Sequence, residues 1–219
     1  MSLQILTDYY KRRAKEYEKM YFSNGLVRKT EQAKIAQKIK DVFVNKDVLE
    51  IACGTGYWTQ FISETAKSIT ATDYVQEVMD IAKTKKYKCP IKFMQEDAYN
   101  LSFGINNFNG GIGNLWISHI SKGKLSKFLK EFHRVLKKDA VVFFADNIYV
   151  PGVGGKLVNK PNDENTYKIR SLSDGSLTEV LKNYFTQEEL EKLFSPYAKD
   201  NSMKIFYGKC FWYVTYIKK

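Results

Sequence analysis

The sequence predicts an α/β fold: a doubly wound, mostly parallel sheet of seven strands with helices on both faces, ending in an antiparallel C-terminal hairpin strand and preceded by two N-terminal helices. Three observations lead there. Strand-like and helix-like apolar patterns alternate between residues 47 and 146, and such alternation implies parallel strands joined by crossover helices. A Gly-x-Gly turn, Gly54-Thr55-Gly56, joins the first strand pattern to the helix that follows it. The chain of 219 residues is 44% hydrophobic and 27% charged, which suits one globular domain and excludes a fibrous or disordered chain.

The elements follow in order. Residues 8–22 place Tyr10, Ala14, Tyr17 and Tyr21 at helical spacing, and residues 31–43 do the same with Ile35, Ile39, Val42 and Phe43, so two amphipathic helices open the chain. Residues 47–53 predict a buried strand, the two glycines a turn, and residues 57–66 a helix with Trp58, Phe61 and Ile62 inward. The unit repeats as strand Ser68–Asp73, a helix over 75–85 and a strand over 91–97, which Pro90 can precede without loss of a ladder bond. A fourth strand falls around 108–116, where Gly110, Gly111 and Gly113 blur its limits. A helix over 125–137 has one apolar face and places His133 on the polar side, toward solvent; residues 140–146 form a fifth buried strand.

Residues 147–183 break the pattern. Pro151, Gly152, Gly154, Gly155, Pro161 and Gly175 punctuate a polar stretch of no sustained period, which predicts a long irregular segment of functional use. A last helix starts at Thr186 with Glu189 as its capping-box partner. Strands at 203–207 and Phe211–Ile217 then form a hairpin through Gly208 and Lys209. The expected organisation is one domain over 1–219, comprising N-terminal helices (1–44), a core (47–147), an insertion (148–183) and a C-terminal helix with its hairpin (184–219).

Charge and cysteine content narrow the class. Lys and Arg number 35 against 24 Asp and Glu, a net charge of +11. A nucleic-acid groove would explain this, but only five of the cations are arginines and the lysines are scattered, which favours a solvated lysine surface. Cys53, Cys89 and Cys210 form no CxxC pair, so reduced thiols are expected rather than a disulfide framework or a metal site. Cys53 reads as a small filler in the turn, and Trp58 as a core residue. The absence of a long apolar run, with Lys11, Arg12 and Arg13 near the start, predicts a cytoplasmic protein without a membrane segment.

The glycine turn is the chemical centre. Glycines let the backbone approach a ligand, and the following helix presents amides to it. A dinucleotide fingerprint needs a third glycine where Thr59 stands. Glu50 precedes the turn, Asp73 closes the second strand, Asp97 ends the third, and residues 54–59 hold no Lys or Arg. These carboxylates would repel a pyrophosphate by ~1 kcal/mol or more per close pair and suit a cationic adenosine ligand. Asp73 is placed to accept ribose hydroxyls, and Asp97 with the amide of Ala98 to meet an adenine edge.

Residues 48–59 (VLEIACGTGYWT), 71–83 (ATDYVQEVMDIAK) and 94–103 (MQEDAYNLSF), in that order and spacing, resemble the first three motifs of class I S-adenosylmethionine-dependent methyltransferases. Residues 108–121 and 125–146 resemble the rest of that core, so the likeness covers roughly 8–217. It implies a methyltransferase with S-adenosyl-L-methionine as cofactor and S-adenosyl-L-homocysteine as product. By position, Glu50 would lie near the methionine amino group and Ala52, Gly54 and Gly56 along the methionine and sulfonium. Asp73 would take the ribose, Tyr74 would pack on the adenine, Asp97 and Ala98 would meet its edge, and Asn114 aligns with a backbone site facing the amino-acid part; Trp116 is a further cofactor-binding candidate. Ala52 stands where glycine is commoner, and Asn109 replaces a frequent aspartate. Residues 9–21 resemble the lid helix of small-molecule methyltransferases, in which Tyr10 and Tyr17 would cover the sulfonium and Arg13 approach a carboxylate; the same tyrosines also suit a plain docking face.

The resemblance implies a small or medium-sized methyl acceptor, with an anion as one option, covered by residues 148–183, with Tyr149 and Arg170 as substrate-binding candidates. His119, after the fourth strand, is a candidate general base, a substrate positioner or a structural histidine. Residues 114–117 lack the Asn/Asp-Pro-Pro-aromatic pattern used on nucleobase amines, and no Pro-Cys pair is present. An RNA-directed methyltransferase, which would account for the charge, and a non-catalytic cofactor-binding module are the alternatives.

Overall fold

The computed structural model describes residues 3–22 and 25–219. The parallel core is β1 (Asp47–Ile51), α3 (Tyr57–Ser63), β2 (Ser68–Asp73), α4 (Gln76–Lys83), β3 (Ile91–Gln95), β4 (Phe108–Asn114), α5 (Leu125–Arg134) and β5 (Leu136–Asn147). It is preceded by α1 (Leu3–Arg13) and α2 (Leu26–Val42). After β5 come β6 (Leu157–Asn159), β7 (Thr166–Ser171), β8 (Leu177–Leu181), α6 (Gln187–Phe194), β9 (Lys204–Tyr207) and β10 (Phe211–Ile217).

Seven strands form one sheet in the order β3-β2-β1-β4-β5-β10-β9. β1 pairs in parallel with both β2 and β4, while β10 runs antiparallel to β5 and β9. Strand order therefore reverses between β1 and β4, where the crossovers leave to opposite faces and open a crevice beyond the carboxyl ends. Alternation along each strand divides the core in two. Val48, Phe143 and Phe211 pack with Ile35 and Ile39 of α2 and Trp58 and Ile62 of α3. Leu49, Ile51, Val142, Phe144 and Trp212 pack with α5 and α6. The three glycines of β4 belong to this packing. A Cβ on Gly111 would lie 2.7 Å from the Phe132 ring, and one on Gly113 2.8 Å from Phe144, so aromatic rings occupy the space where side chains are missing.

Four expectations need correction. The helix predicted over 8–22 changes winding at Arg13, and Ala14–Met20 is a 3₁₀ segment. Eclipsed i, i+3 positions set Ala14 against Val75 and Val78 while Tyr17 reaches the crevice. The helix over 31–43 starts earlier, at Leu26. Residues 147–183 are not irregular: β6, β7 and β8 make a separate antiparallel sheet, and Gly152, Gly154, Gly155 and Gly175 occupy left-handed turn positions with φ of 75°, 74°, 89° and 80°. Leu172, just after β7, and Val180 of β8 pack on Tyr9 of α1, which joins the insertion to the N-terminal helix.

His133 is buried, not solvent-facing. Its Nδ1 donates to the Leu129 carbonyl at 2.6 Å, its Nε2 accepts from the Tyr216 hydroxyl at 2.7 Å, and its ring stacks on Tyr197 at 4.1 Å. Burial lowers its pKa to about 4, so it is a neutral tether between α5 and β10. The Thr186–Glu189 capping box is present as predicted. Cys53, Cys89 and Cys210 are free thiols. No helix among the described residues is long and apolar enough to cross a membrane.

Candidate active site

The turn after β1 is built from left-handed residues: φ is 53° at Ala52, 56° at Gly54 and 79° at Gly56. Glycine adopts that region freely, whereas alanine does so at a cost of roughly 1–2 kcal/mol. A Cβ on Gly54 would meet nothing within 4 Å, but one on Gly56 would press on Ala82 of α4 at 3.0 Å. Gly54 thus opens the backbone toward a ligand, and Gly56 lets α4 sit close. The Asp73 carboxylate fixes the turn, accepting from the Gly54 amide at 2.9 Å through one oxygen and the Val75 amide at 2.9 Å through the other.

Above this turn lies a cleft of about 830 Å3 lined by residues from the ends of β1 to β4 and from α1. The structure brings together there Tyr10, Tyr17, Ala52, Gly54, Asp73, Tyr74, Asp97, Ala98, Asn114 and Trp116. Three carboxylates, Asp73, Glu96 and Asp97, line it, and among the described residues no Lys or Arg does. Burial pushes Asp73 up to about 6, against the pull of the Val75, Gly54 and Tyr74 amides. Asn114 is buried with neither amide atom partnered among the described residues, and the Trp116 Nε1 is in the same position. Buried polar atoms are ordinarily satisfied, so both ask for partners from a ligand. Glu50 and Gly56 do not line the cleft. Glu50 is buried behind the turn, accepts from Thr59 Oγ1 at 2.7 Å, and is pushed up to about 8 by burial.

Next to the cleft is a chamber of about 330 Å3 that shares Tyr10, Tyr17 and Leu115 with it. Arg13, His119, Arg170 and Lys182 line it, and among the described residues no carboxylate does. Tyr149 lies outside both cavities, half-exposed against Tyr184. His119 Nδ1 faces the Leu181 carbonyl at 2.8 Å and must carry the proton, so Nε2 accepts from the Tyr10 hydroxyl at 3.1 Å. Burial, helped by the Lys182 charge, lowers His119 to about 3. The imidazole is neutral and both nitrogens are in use.

The sequence reading missed the groups that hold these cavities. Lys182 donates to Asp146 at 3.0 Å and to Ser118 Oγ at 2.6 Å, with both charged side chains buried. Burial works to raise Asp146, but Lys182, His119 and the Ser118 and Asn147 amides outweigh it and hold the carboxyl below its usual range. Asp146 stands near the end of β5 much as Asp73 ends β2, a signal that was present in the pattern; Lys182, inside a polar stretch, gave none. Glu18 was also missed. It accepts from Thr55 Oγ1 at 2.6 Å and pairs with Lys85, tying the 3₁₀ segment to the glycine turn.

Residues 48–139 match the methyltransferase domain family. Over 176 residues the chain is 28% identical to ribosomal RNA small subunit methyltransferase A of Mesomycoplasma hyopneumoniae, a match covering 80% of this chain and 63% of that protein. The chain thus spans about three fifths of the length of that relative. It is 26% identical over 187 residues to demethylmenaquinone methyltransferase of Staphylococcus haemolyticus, covering 74% of this chain and 77% of the relative. Among solved structures, the DhpI-SAM-HEP complex superposes with a TM-score of 0.76 at 22% identity, over 97% of this chain and 96% of the other, a likeness of fold. The order of its motifs, the reversal between β1 and β4 and these matches make residues 48–139 similar to a methyltransferase domain, on a fold like that of the class I S-adenosylmethionine-dependent methyltransferases.

Proposed function

We propose that this chain transfers the methyl group of S-adenosylmethionine to a small acceptor that occupies the chamber beside the cleft. The observation that carries this is the pairing of an acidic cleft with a separate chamber behind a common wall of Tyr10, Tyr17 and Leu115. The residues present fit the cofactor: the cleft carries carboxylates and no cation, an open glycine edge, and orphaned polar atoms on Asn114 and Trp116. When bound, S-adenosylmethionine supplies a methyl carbon on an activated sulfonium leaving group.

Each residue then has a task. Asp73 accepts from the ribose hydroxyls, Tyr74 covers the adenine, and Asp97 with the Ala98 amide reads its edge. The Asn114 amide takes the amino-acid part, and the electron-rich faces of Tyr10 and Tyr17 lie toward positive charge. The lid excludes water. Lys11–Glu77 ties it to α4, Glu18–Lys85 to the end of α4, and Arg12–Asp174 to the insertion. Holding nucleophile, carbon and sulfur in line in a dry space supplies much of the rate. His119 positions Tyr10 through Nε2.

Calorimetric titration with S-adenosylhomocysteine tests the cofactor site. Asp73→Ala should weaken binding about 10- to 100-fold, the usual cost of a lost charged hydrogen bond; undiminished affinity contradicts the placement. A second reading, RNA methylation, is favoured by the net charge of +11 and by the similarity to a ribosomal RNA methyltransferase. It predicts RNA binding whose log affinity falls steeply with log salt, and flat or absent binding excludes it.

A further inference from the structure

We infer that the acceptor is a small oxyacid, held in the chamber by the guanidinium groups of Arg13 and Arg170 and methylated on its ionised oxygen; this rests on the function proposed above. Three cations line the chamber, and only one of them is neutralised. Lys182 is paired with Asp146. Arg13 donates to the Tyr9 hydroxyl and lies 5.6 Å and 5.7 Å from the Tyr9 and Tyr17 ring centroids, with no carboxylate partner among the described residues. Arg170 likewise has no carboxylate partner among them. A Cβ on Gly154, at φ 74°, would lie 3.2 Å from the Arg170 guanidinium carbon, so the insertion gives up a side chain to make room for this group. Half-buried guanidiniums without a counter-charge are costly, and their planar donor pattern matches the oxygens of a carboxylate or a phosphorus oxyacid.

The chamber also lacks a group to remove a proton. His119 is neutral, its Nδ1–H is committed to the Leu181 carbonyl, and its Nε2 lone pair to the Tyr10 hydroxyl. Tyr10 and Tyr17 are driven upward by burial and hold their protons. An amine, thiol or phenol would have to lose a proton here, whereas an oxyacid arrives ionised. A lone pair of the oxyanion forms the O–CH3 bond, the C–S bond breaks with its electron pair left on sulfur, and no proton moves. The sulfonium cation and one negative charge of the acceptor are cancelled together.

Acetate and inorganic phosphate are titrated calorimetrically into the protein saturated with S-adenosylhomocysteine. One of them should bind with one-to-one stoichiometry. Arg170→Gln should weaken that binding about tenfold or more, Arg170→Lys should restore part of it, and both should keep homocysteine-compound affinity within about threefold of wild type. Tighter acetate binding identifies a carboxylate acceptor and tighter phosphate binding a phosphorus oxyacid. Methyl-labelled cofactor incubated with an extract of small acids should then give label released as methanol by mild alkali in the first case, and an alkali-stable anionic ester in the second. Absence of binding by either anion, unchanged binding in Arg170→Gln, or label on nitrogen, sulfur or a phenol overturns the inference. If S-adenosylhomocysteine itself fails to bind the wild type, the proposed function falls first and the acceptor class with it.

Discussion

The cleft and the chamber share Tyr10, Tyr17 and Leu115 but have opposite electrostatics. The cleft is read out by carboxylates at the ends of the parallel strands, Asp73 and Asp97, with Glu96 between them in the chain. The chamber takes its cations from elements outside the parallel core: Arg13 from α1, Arg170 from β7 and Lys182 just after β8. The difference teaches where specificity is stored. In the proposed function the sheet supplies a site for a cationic nucleoside, and the lid and insertion, which pack on each other through Tyr9, Leu172 and Val180, supply the contrasting charge for the methyl acceptor.

The sharpest way to break this contrast is through the buried ion pair. Lys182→Met leaves the Asp146 carboxylate alone in a buried site, and removing one partner of such a pair typically costs about 3–5 kcal/mol. Thermal denaturation should show Tm lower by about 10 °C for a chain of this size. Replacing Asp146 by Leu in the same protein should recover much of the loss, because the uncompensated charge is then gone. A Tm unchanged in Lys182→Met would mean that the pair does not hold the chamber.

Next in size is a pH effect confined to the cleft side. Asp73 is raised to about 6 and Glu50 to about 8, above their unfolded values of ~4. Carboxylates raised on folding contribute stability that is fully present below the unfolded value and is lost as pH rises through the folded one. The ligand-free protein should therefore lose stability between pH 5 and 8, while affinity for the sulfonium cation should rise severalfold between about pH 6 and 8 as these groups ionise. Calorimetry with S-adenosylmethionine at the two pH values checks the second sign; an affinity that falls with pH contradicts it.

Two smaller effects refine the picture. Ala52→Gly relieves a left-handed alanine in the glycine turn and should raise unfolding free energy by about 1 kcal/mol, offset by a few tenths through the added freedom of glycine in the unfolded chain. Denaturant titration measures it, and a destabilised variant would show that the Ala52 methyl contributes packing instead. Arg12→Ala removes an exposed tie between α1 and Asp174 and Ser176 of the insertion. Exposed pairs contribute about 0–1 kcal/mol, so Tm should hardly move, while the acceptor KM should rise up to about fivefold with less change at high salt.

Much of the cleft was legible because its residues sit at strand ends, and strand ends are marked by pattern. Asp73, Asp97 and Asn114 each stand at or just after the end of a strand pattern, and Gly54 needs its missing side chain for backbone reasons alone. The chamber was far less legible. Arg13, His119 and Arg170 were candidates from the sequence, but Lys182 lies in a segment whose strands are short and polar on one side, so its glycines looked like loop punctuation until they proved to be turns of a small sheet. His133 misled for a related reason: its helix face looked polar, but Tyr197 and Tyr216, more than sixty residues away in sequence, cover it. The glycines of β4 gave the opposite error, reading as weak strand when they are seats for Phe132 and Phe144.

A crystal structure grown with S-adenosylhomocysteine and an inorganic anion such as phosphate would show the contents of both cavities at once. The nucleoside should lie over Asp73 and Asp97 with its amino-acid part at Asn114, and the anion between Arg13 and Arg170. Phosphate bound at the glycine turn, or the nucleoside lodged among the arginines, would contradict that placement.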